Sequence, residues 1–306
     1  MLKKYEIIDR KVCEAPEDAN ASILFYSNPD ENEKKILINS YKLDEHTLNS
    51  ALDPDEQARL EFEPEHVALI LKSPKNYCGK DQFFFRVLSY GMFLFKDKLI
   101  VVSASDIPLF NGKQIQKTGN VRDVFLKIIY RSIFHFLEHL KIINMVSDEL
   151  EQKINASMEN KFLLNLFTLE KSLVYYLNAI NSNTVVIEKI KANANKIEFT
   201  QEQQEYIDDI YIENNQCYRQ AEIYSNVLSG LMDARVSIVS NNLNVLMKTL
   251  NIITIGIMVP TFVVSLFSMN VTIPIQEHPL AFWIIILIAI VSVVAFLIFW
   301  KFKKWF

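Results

Sequence analysis

The stretches "LNIITIGIMVPTFVVSLFSMN" (residues 250–270) and "LAFWIIILIAIVSVVAFLIFW" (residues 280–300) decide the architecture. Neither carries a charged residue, and no charge occurs between Lys248 and Glu277. Each is about as long as the roughly 20 residues a helix needs to cross the hydrocarbon core of a bilayer. Two buried core helices are the alternative. The second stretch argues against it, because it is apolar on every face, whereas a globular helix has an apolar stripe only. Residues 250–270 are therefore read as a first membrane span, 271–279 as an outer loop, 280–300 as a second span and 301–306 as a basic tail.

Orientation follows from the basic residues. Lys248 precedes the first span, and Lys301, Lys303 and Lys304 follow the second. The loop "NVTIPIQEHP" has neither Lys nor Arg and carries Glu277. The positive-inside rule then places both termini in the cytoplasm and the loop outside, in a multi-pass protein of the cell membrane. Trp283, Trp300 and Trp305 stand near span ends, where interfacial tryptophans are enriched.

The two spans differ in kind. Ser292 is almost the only polar residue of the second, which reads as lipid-facing. In the first, Asn251, Thr254, Met258, Thr261, Ser265 and Ser268 recur at 3-4-3-4-3 spacing, one seam of a helix in heptad register. The seam continues backwards through Met247, Asn244, Ser240, Ser237, Asp233 and Gly230, about eleven turns in all. A soluble coiled coil would carry Leu and Ile there. Small and hydroxyl residues could serve close helix packing. A continuous polar stripe fits better a wet pore lined by the same face of several subunits.

At this point the residues resemble a known family. "SGLMDARVSIVSNNLNVLMKTLNIITIGIMVPTFVVSLFSMNV", with its Asn-rich "SNNLN", its mid-span "PT" and its terminal Met-Asn, resembles the stalk and first transmembrane helix of the CorA-type divalent cation transporters. "LDPDEQARLEFEPEHVALILKS" is similar to that family's cytoplasmic domain. The resemblance implies an α+β cytoplasmic domain followed by long stalk helices and two C-terminal transmembrane helices, in a funnel-shaped homopentamer whose first span lines the pore. It implies a pore mouth at Ser268, Met269 and Asn270, where the family has Gly-Met-Asn. Pore-lining positions would be Asp233, Asn244, Met247, Asn251, Thr254, Met258, Thr261 and Ser265, with Leu250 and Met258 as an apolar gate. A ring of Asn270 carbonyls suits Mg²⁺, which dehydrates reluctantly. The transported and regulatory ion is expected to be Mg²⁺, with Co²⁺ or Ni²⁺ as further substrates and no bound cofactor. In the family, divalent ions between cytoplasmic domains hold the pore closed. The acidic "EFTQEQQEYIDDIYIENN" offers Asp208 and Asp209 for that role, against the plainer reading of a solvated helix face.

Upstream, residues 1–118 are expected to form the α/β domain, 119–199 a helical region and 200–249 the stalk. Strands are expected in "ASILFYS", "KILINSY", "HVALILKS", "FFFRVLSYGMFLF" and "KLIVVSA". Short helices are expected in "DEHTLNSAL" and "DPDEQARLEF", N-capped by Asp44 and Asp53. From Asn120 the apolar spacing becomes helical. From Thr200 the chain has no proline before Pro260, so one helix of about 68 residues, roughly 100 Å long, would run from the cytoplasmic domain into the first span.

Other classes are weaker. The net charge of −4 gives no case for nucleic acid. "MLKKYEIIDRK" has no signal-peptide character. Cys13, Cys78 and Cys217 form no C-x-x-C pair, which argues against a zinc ribbon or a disulfide framework. No P-loop pattern appears, so ATP-driven pumping is not supported. "HFLEH" (135–139) fits the H-x-x-E-H zincin pattern, with Glu138 as base, and makes a membrane-anchored metalloprotease a rival. A zinc transporter of the same superfamily and a non-conducting anchored regulator, motivated by Ser268, complete the alternatives.

Overall fold

The computed structural model describes residues 1–16, 21–77, 83–107, 109–110, 115, 117–156, 160–271 and 278–302. Cys78, most of the outer loop including Glu277, and Lys303, Lys304 and Trp305 lie outside the described residues. The chain divides into two compact units, Met1–Met232 and Asp233–Phe306.

The first unit is built on a seven-stranded mixed sheet, β1 (Leu2–Ile8), β2 (Lys11–Glu14), β3 (Ile23–Ser27), β4 (Arg59–Phe62), β5 (Val67–Pro74), β6 (Val87–Leu94) and β7 (Leu99–Ser103). Its order is β2-β1-β3-β7-β6-β5-β4, with β3 and β7 parallel and the remaining neighbours antiparallel. Alternation of side chains divides each strand between two cores. Ile23, Phe25, Leu69, Leu71, Tyr90, Met92, Leu99 and Val101 share the larger core with the long helices α3 (Val121–Ala156) and α4 (Asn160–Ala192). Leu24, Tyr26, Phe93, Ile100 and Val102 face the smaller core with Leu37 and Leu48, from α1 (Glu31–Tyr41) and α2 (Glu45–Leu52). Strands covered on both faces read as unbroken apolar runs, which is why "ASILFYS" and its like read as strands without alternation.

Two local expectations are corrected, and one element is added that the sequence reading did not name. "KILINSY" is the body of α1, not a strand. A capping box decides it: Asp30 Oδ1 accepts from the Glu33 N–H (2.7 Å), and the Asp30 N–H donates to Glu33 Oε2 (3.0 Å). "DPDEQARLEF" is a turn followed by strand β4. Asp53 caps the C-terminus of α2, and its carboxylate accepts from the Asp55 N–H at 2.9 Å, which closes a turn instead of starting a helix. The N-terminal "LKKYEII" and "KVCE" form a hairpin, β1–β2, whose two-residue turn Asp9-Arg10 has φ of 49° and 59°. That is the left-handed turn whose twist matches paired strands. Asp44 does cap α2, accepting from the Thr47 N–H at 2.9 Å.

Polar side chains of the long helices complete the sheet's hydrogen bonding. Asn183 of α4 clasps the backbone of Lys72, accepting its N–H and donating to its carbonyl, both at 2.9 Å. Ser132 of α3 donates to the same carbonyl at 2.8 Å. The Lys72 ammonium, itself buried, donates to Pro54 O (2.7 Å) and Ser89 Oγ (2.9 Å). Burial lowers its pKa, and Asp55, Asp53 and Glu56 pull the other way. On the opposite face α2 lies so close to β6 that a Cβ at Gly91 would stand 2.6 Å from Ala51 Cβ. Gly91→Ala is expected to destabilise the full chain in detergent by about 1–3 kcal/mol, an overpacking cost. Restoration of the thermal unfolding midpoint in the Gly91→Ala/Ala51→Gly double variant checks that the contact is the cause.

Candidate pore helix and cation site

Helix α5 (Gln201–Phe267) begins with a second capping box: the Gln203 N–H donates to Thr200 Oγ1 (3.3 Å), and the Thr200 N–H to Gln203 Oε1 (3.0 Å). Its buried residues, from Gln203 through Ile207, Ile210, Asn214 and Cys217 to Met232, all belong to the first unit. From Asp233 onward no described residue is buried.

Among the described residues two helices are long and apolar enough to cross a membrane, α5, whose C-terminal part lies in the second unit, and α6 (Ala281–Phe302). Between residues 244 and 270 only seven α5 positions are partly covered: Thr249, Ile252, Gly256, Val259, Pro260, Val263 and Phe267. Their 3-4 spacing defines one face. Phe296 of α6 stands over it, its Cε1 3.9 Å from where a Cβ of Gly256 would be. The expected seam, Asn244, Met247, Asn251, Thr254, Met258, Thr261, Ser265 and Ser268, is exposed at every position. At about 100° per residue the two faces lie roughly half a turn apart. The second candidate span, α6, thus covers the side of α5 opposite the seam, and among the described residues the seam is exposed throughout. Asp233, Leu250, Met269 and Asn270 are exposed as well.

Several of the seam's hydroxyls donate to carbonyls of their own helix. Thr254 Oγ1 donates to Leu250 O (2.9 Å), and Thr261 Oγ1 to Ile257 O (2.7 Å). Each hydroxyl therefore turns lone pairs outward, and the helix bears donors spent on its own carbonyls. Pro260 stands on the α6-facing side, and its missing N–H frees the Gly256 carbonyl. Beyond Phe267, Ser268, Met269 and Asn270 form an irregular turn, none with positive φ. His278 stands at the start of α6, its Nδ1 accepting from the Leu280 N–H at 3.2 Å.

The carboxylates of Asp208 and Asp209 differ. Asp208 is paired with Lys191 at 2.9 Å, and this bond raises the lysine's pKa. Asp209 lines a cleft of about 600 Å³ with Asp123, Glu202, Glu205, Lys117 and Lys127. Asp123 is committed there, accepting from the Gly119 N–H and from Gln203 Nε2, both at 2.6 Å. Among the described residues no three His, Cys, Asp or Glu side chains converge to hold a metal ion.

The H-x-x-E-H residues belong to the packing of α3. His139 is buried with Nδ1 2.7 Å from the Tyr176 hydroxyl, and the His135 ring lies 4.5 Å from the His139 ring. Glu138 pairs with Arg131 at 3.5 Å. Burial, then the neighbouring His139 and Arg131, hold the His135 pKa down to about 3, and burial holds His139 at about 4.

A sequence profile described as "CorA-like Mg2+ transporter protein" matches residues 19–304. The chain belongs to this family, and with it to the divalent cation transporters of the membrane rather than to the enzymes. The cobalt/magnesium transport protein CorA of Methanocaldococcus jannaschii is 24% identical over 268 residues, 84% of this chain and 83% of that protein. The CorA of Thermotoga maritima is 24% identical over 172 residues, 55% of this chain and 49% of that protein. The complete structure of the M. jannaschii magnesium transporter superposes with a TM-score of 0.82 at 20% identity, covering 100% of this chain and 98% of that one. Full-length CmaX superposes at 0.74 (18% identity, 98% and 96% covered). The cytoplasmic domain of ZntB from Vibrio parahaemolyticus superposes at 0.59 (12% identity, 78% and 98% covered).

The two α3 histidines, His139 buried and His135 half-buried, carry a pH prediction. Unfolded, each titrates near 6.5; folded, they stay neutral to about 3 and about 4. Their contribution is complete above pH 6.5 and is lost as pH falls toward the native values, by at most about 1.4 kcal/mol per unit for each group. The unfolding midpoint is expected to drop between pH 6.5 and 5, above the range of most carboxylates. A His135→Asn/His139→Gln variant should flatten that drop.

Proposed function

We propose that the chain assembles as a homopentameric channel for divalent cations, with the α5 seam lining the pore and both termini in the cytoplasm. The observation that carries this is the angular separation on α5: the polar seam points half a turn away from the face that α6 covers. In a bilayer a lone protomer would turn Asn251 toward hydrocarbon, where an unpartnered amide costs roughly 2–7 kcal/mol. Copies arranged around an axis turn it toward water. The number five follows the family resemblance.

Mg²⁺ is the preferred ion. The seam's hard donors are amide and hydroxyl oxygens, and it carries no Cys or His; methionine thioethers are its one soft donor type, a poor set for selective capture of soft metals. Ser268, Met269 and Asn270 form the mouth, where Asn270 carbonyls accept from the waters that Mg²⁺ keeps. Asn251, Thr254, Thr261, Ser265, Asn244 and Asp233 line the path. Leu250, Met247 and Met258 form apolar constrictions that gate by dewetting. The membrane potential supplies about 4.6 kcal/mol per 100 mV for a divalent ion. Cytosolic divalent ions close the channel through Asp209, with Asp208 beside it, bridged to carboxylates of a neighbouring copy. A Zn²⁺ transporter is the second reading, favoured by the fold shared with the ZntB domain.

The test is Mg²⁺ entry into proteoliposomes held inside-negative, followed by an entrapped indicator. Wild type is expected to conduct, and Asn270→Ala to lose at least tenfold of the flux with its oligomer intact. Wild-type flux in Asn270→Ala would refute the mouth assignment. Zn²⁺ movement without Mg²⁺ movement would favour the second reading.

A further inference from the structure

Ser268 closes α5 in a way that a glycine could not. Its backbone N–H donates to the Ser265 carbonyl at 3.2 Å, and its hydroxyl donates to the same carbonyl at 2.9 Å. The last carbonyls of a helix have no partner within it. One of them here receives two donors from a single residue. The backbone at Ser268 is not in the left-handed region, so the side chain brings no conformational strain. Ser265 and Ser268 lie on the seam, and both are exposed.

This geometry has a chemical consequence. With its proton spent on Ser265 O, the Ser268 oxygen faces outward as an acceptor only. Water bound to a cation directs its lone pair to the metal and its hydrogens outward, so a hydrated ion is a surface of donors. An acceptor whose own proton is tied down complements that surface without competing for it. Threonines 254 and 261 show the same arrangement deeper on the seam.

We propose that Ser268 is a specificity-determining residue of the pore mouth: its hydroxyl, locked as an acceptor by donation to Ser265, adds a ring that binds the hydration shell of the divalent cation beside Asn270. The proposal rests on the channel reading above. It assigns to the serine a gain in affinity for the hydrated ion, at some expense in the rate of release.

The experiment measures Mg²⁺ flux against Mg²⁺ concentration in proteoliposomes for wild type, Ser268→Gly, Ser268→Ala, Ser268→Thr and Asn270→Ala, each checked for oligomer by size exclusion. Loss of the hydroxyl in Ser268→Gly and Ser268→Ala is expected to raise the half-saturating Mg²⁺ about three- to tenfold, the worth of a hydrogen bond made through water. Maximal flux should stay at or above wild type, because weaker binding at the mouth speeds release. Ser268→Thr, which keeps the hydroxyl, should retain the wild-type value. Unchanged half-saturation in both Ser268→Gly and Ser268→Ala overturns the proposal, as does a threonine variant that behaves like the alanine one. Full flux in Asn270→Ala removes the mouth reading instead, and silence of wild type for every divalent ion removes both.

Discussion

A polar stripe on an otherwise apolar helix cannot face lipid, and the organisation of the second unit follows from that constraint. The stripe's side chains divide into two kinds. The hydroxyls of Thr254, Thr261 and Ser268 discharge their protons onto carbonyls of their own helix. The amides of the seam do not. Asn244, Asn251 and Asn270 are exposed, and their side chains make no hydrogen bond among the described residues. The amides, more than the hydroxyls, therefore demand water or a neighbouring copy. The second span has no means of supplying either, since it lies on the far side of α5 and offers alkyl and aromatic groups. Gly256 and Pro260 are placed where their smallness and their missing donor matter least to the seam, on the side that α6 covers.

The first unit works under the opposite constraint: in a dry interior most polar groups need a partner, and here they find one, with both His66 ring nitrogens and Asn214 Oδ1 among the exceptions. Its sheet is covered on both faces, and helix side chains supply the partners that strands do not. Asn183 and Ser132 tie β5 to α4 and α3 through one residue, Lys72. Ser172 and Ser182 of α4 accept from the backbone N–H groups of Phe85 and Ala58. The His135–His139 pair belongs to the same logic: two imidazoles kept neutral by burial, one of them sharing a hydrogen bond with Tyr176. A zincin spacing on a helix puts two histidines on one face, but one face of a packed helix is also where a core forms.

The spans, their seam and the long helices were legible in the sequence because each signal runs over many turns and one physical effect dominates it. The starts of α3 and α5 were legible for the same reason, with Asn120 and Thr200 as boundaries. Short elements were not. "KILINSY" is β-rich in composition, and the capping box at Asp30 and Glu33 outweighs it. "DPDEQARLEF" has a helix-like opening, yet Asp53 spends its carboxylate on a turn. The β1–β2 hairpin was missed because Asp9-Arg10 carries no glycine to mark a left-handed turn. At the candidate site the sequence supplied the face but not its direction. That Asp208 already has a partner in Lys191 while Asp209 lines a cleft is a matter of tertiary placement that spacing does not encode.

The neutral character of the seam can be weighed against the force that would drive ions along it. A divalent ion falling through 100 mV gains about 4.6 kcal/mol. A binding site much deeper than that would hold the ion rather than pass it. Carboxylates in a low-dielectric pore exceed this easily, since a single pair of opposite charges at 4 Å is worth about 4 kcal/mol even at an effective dielectric of 20, and the ion carries two. Amides and hydroxyls reach the ion through its waters at about 1 kcal/mol each, and several of them around a ring stay within the scale of the driving force. The one acid on the seam, Asp233, precedes the apolar stretch, where water can screen it. On this reading the absence of charge from residues 249–276 is a condition for release as much as for insertion in the bilayer.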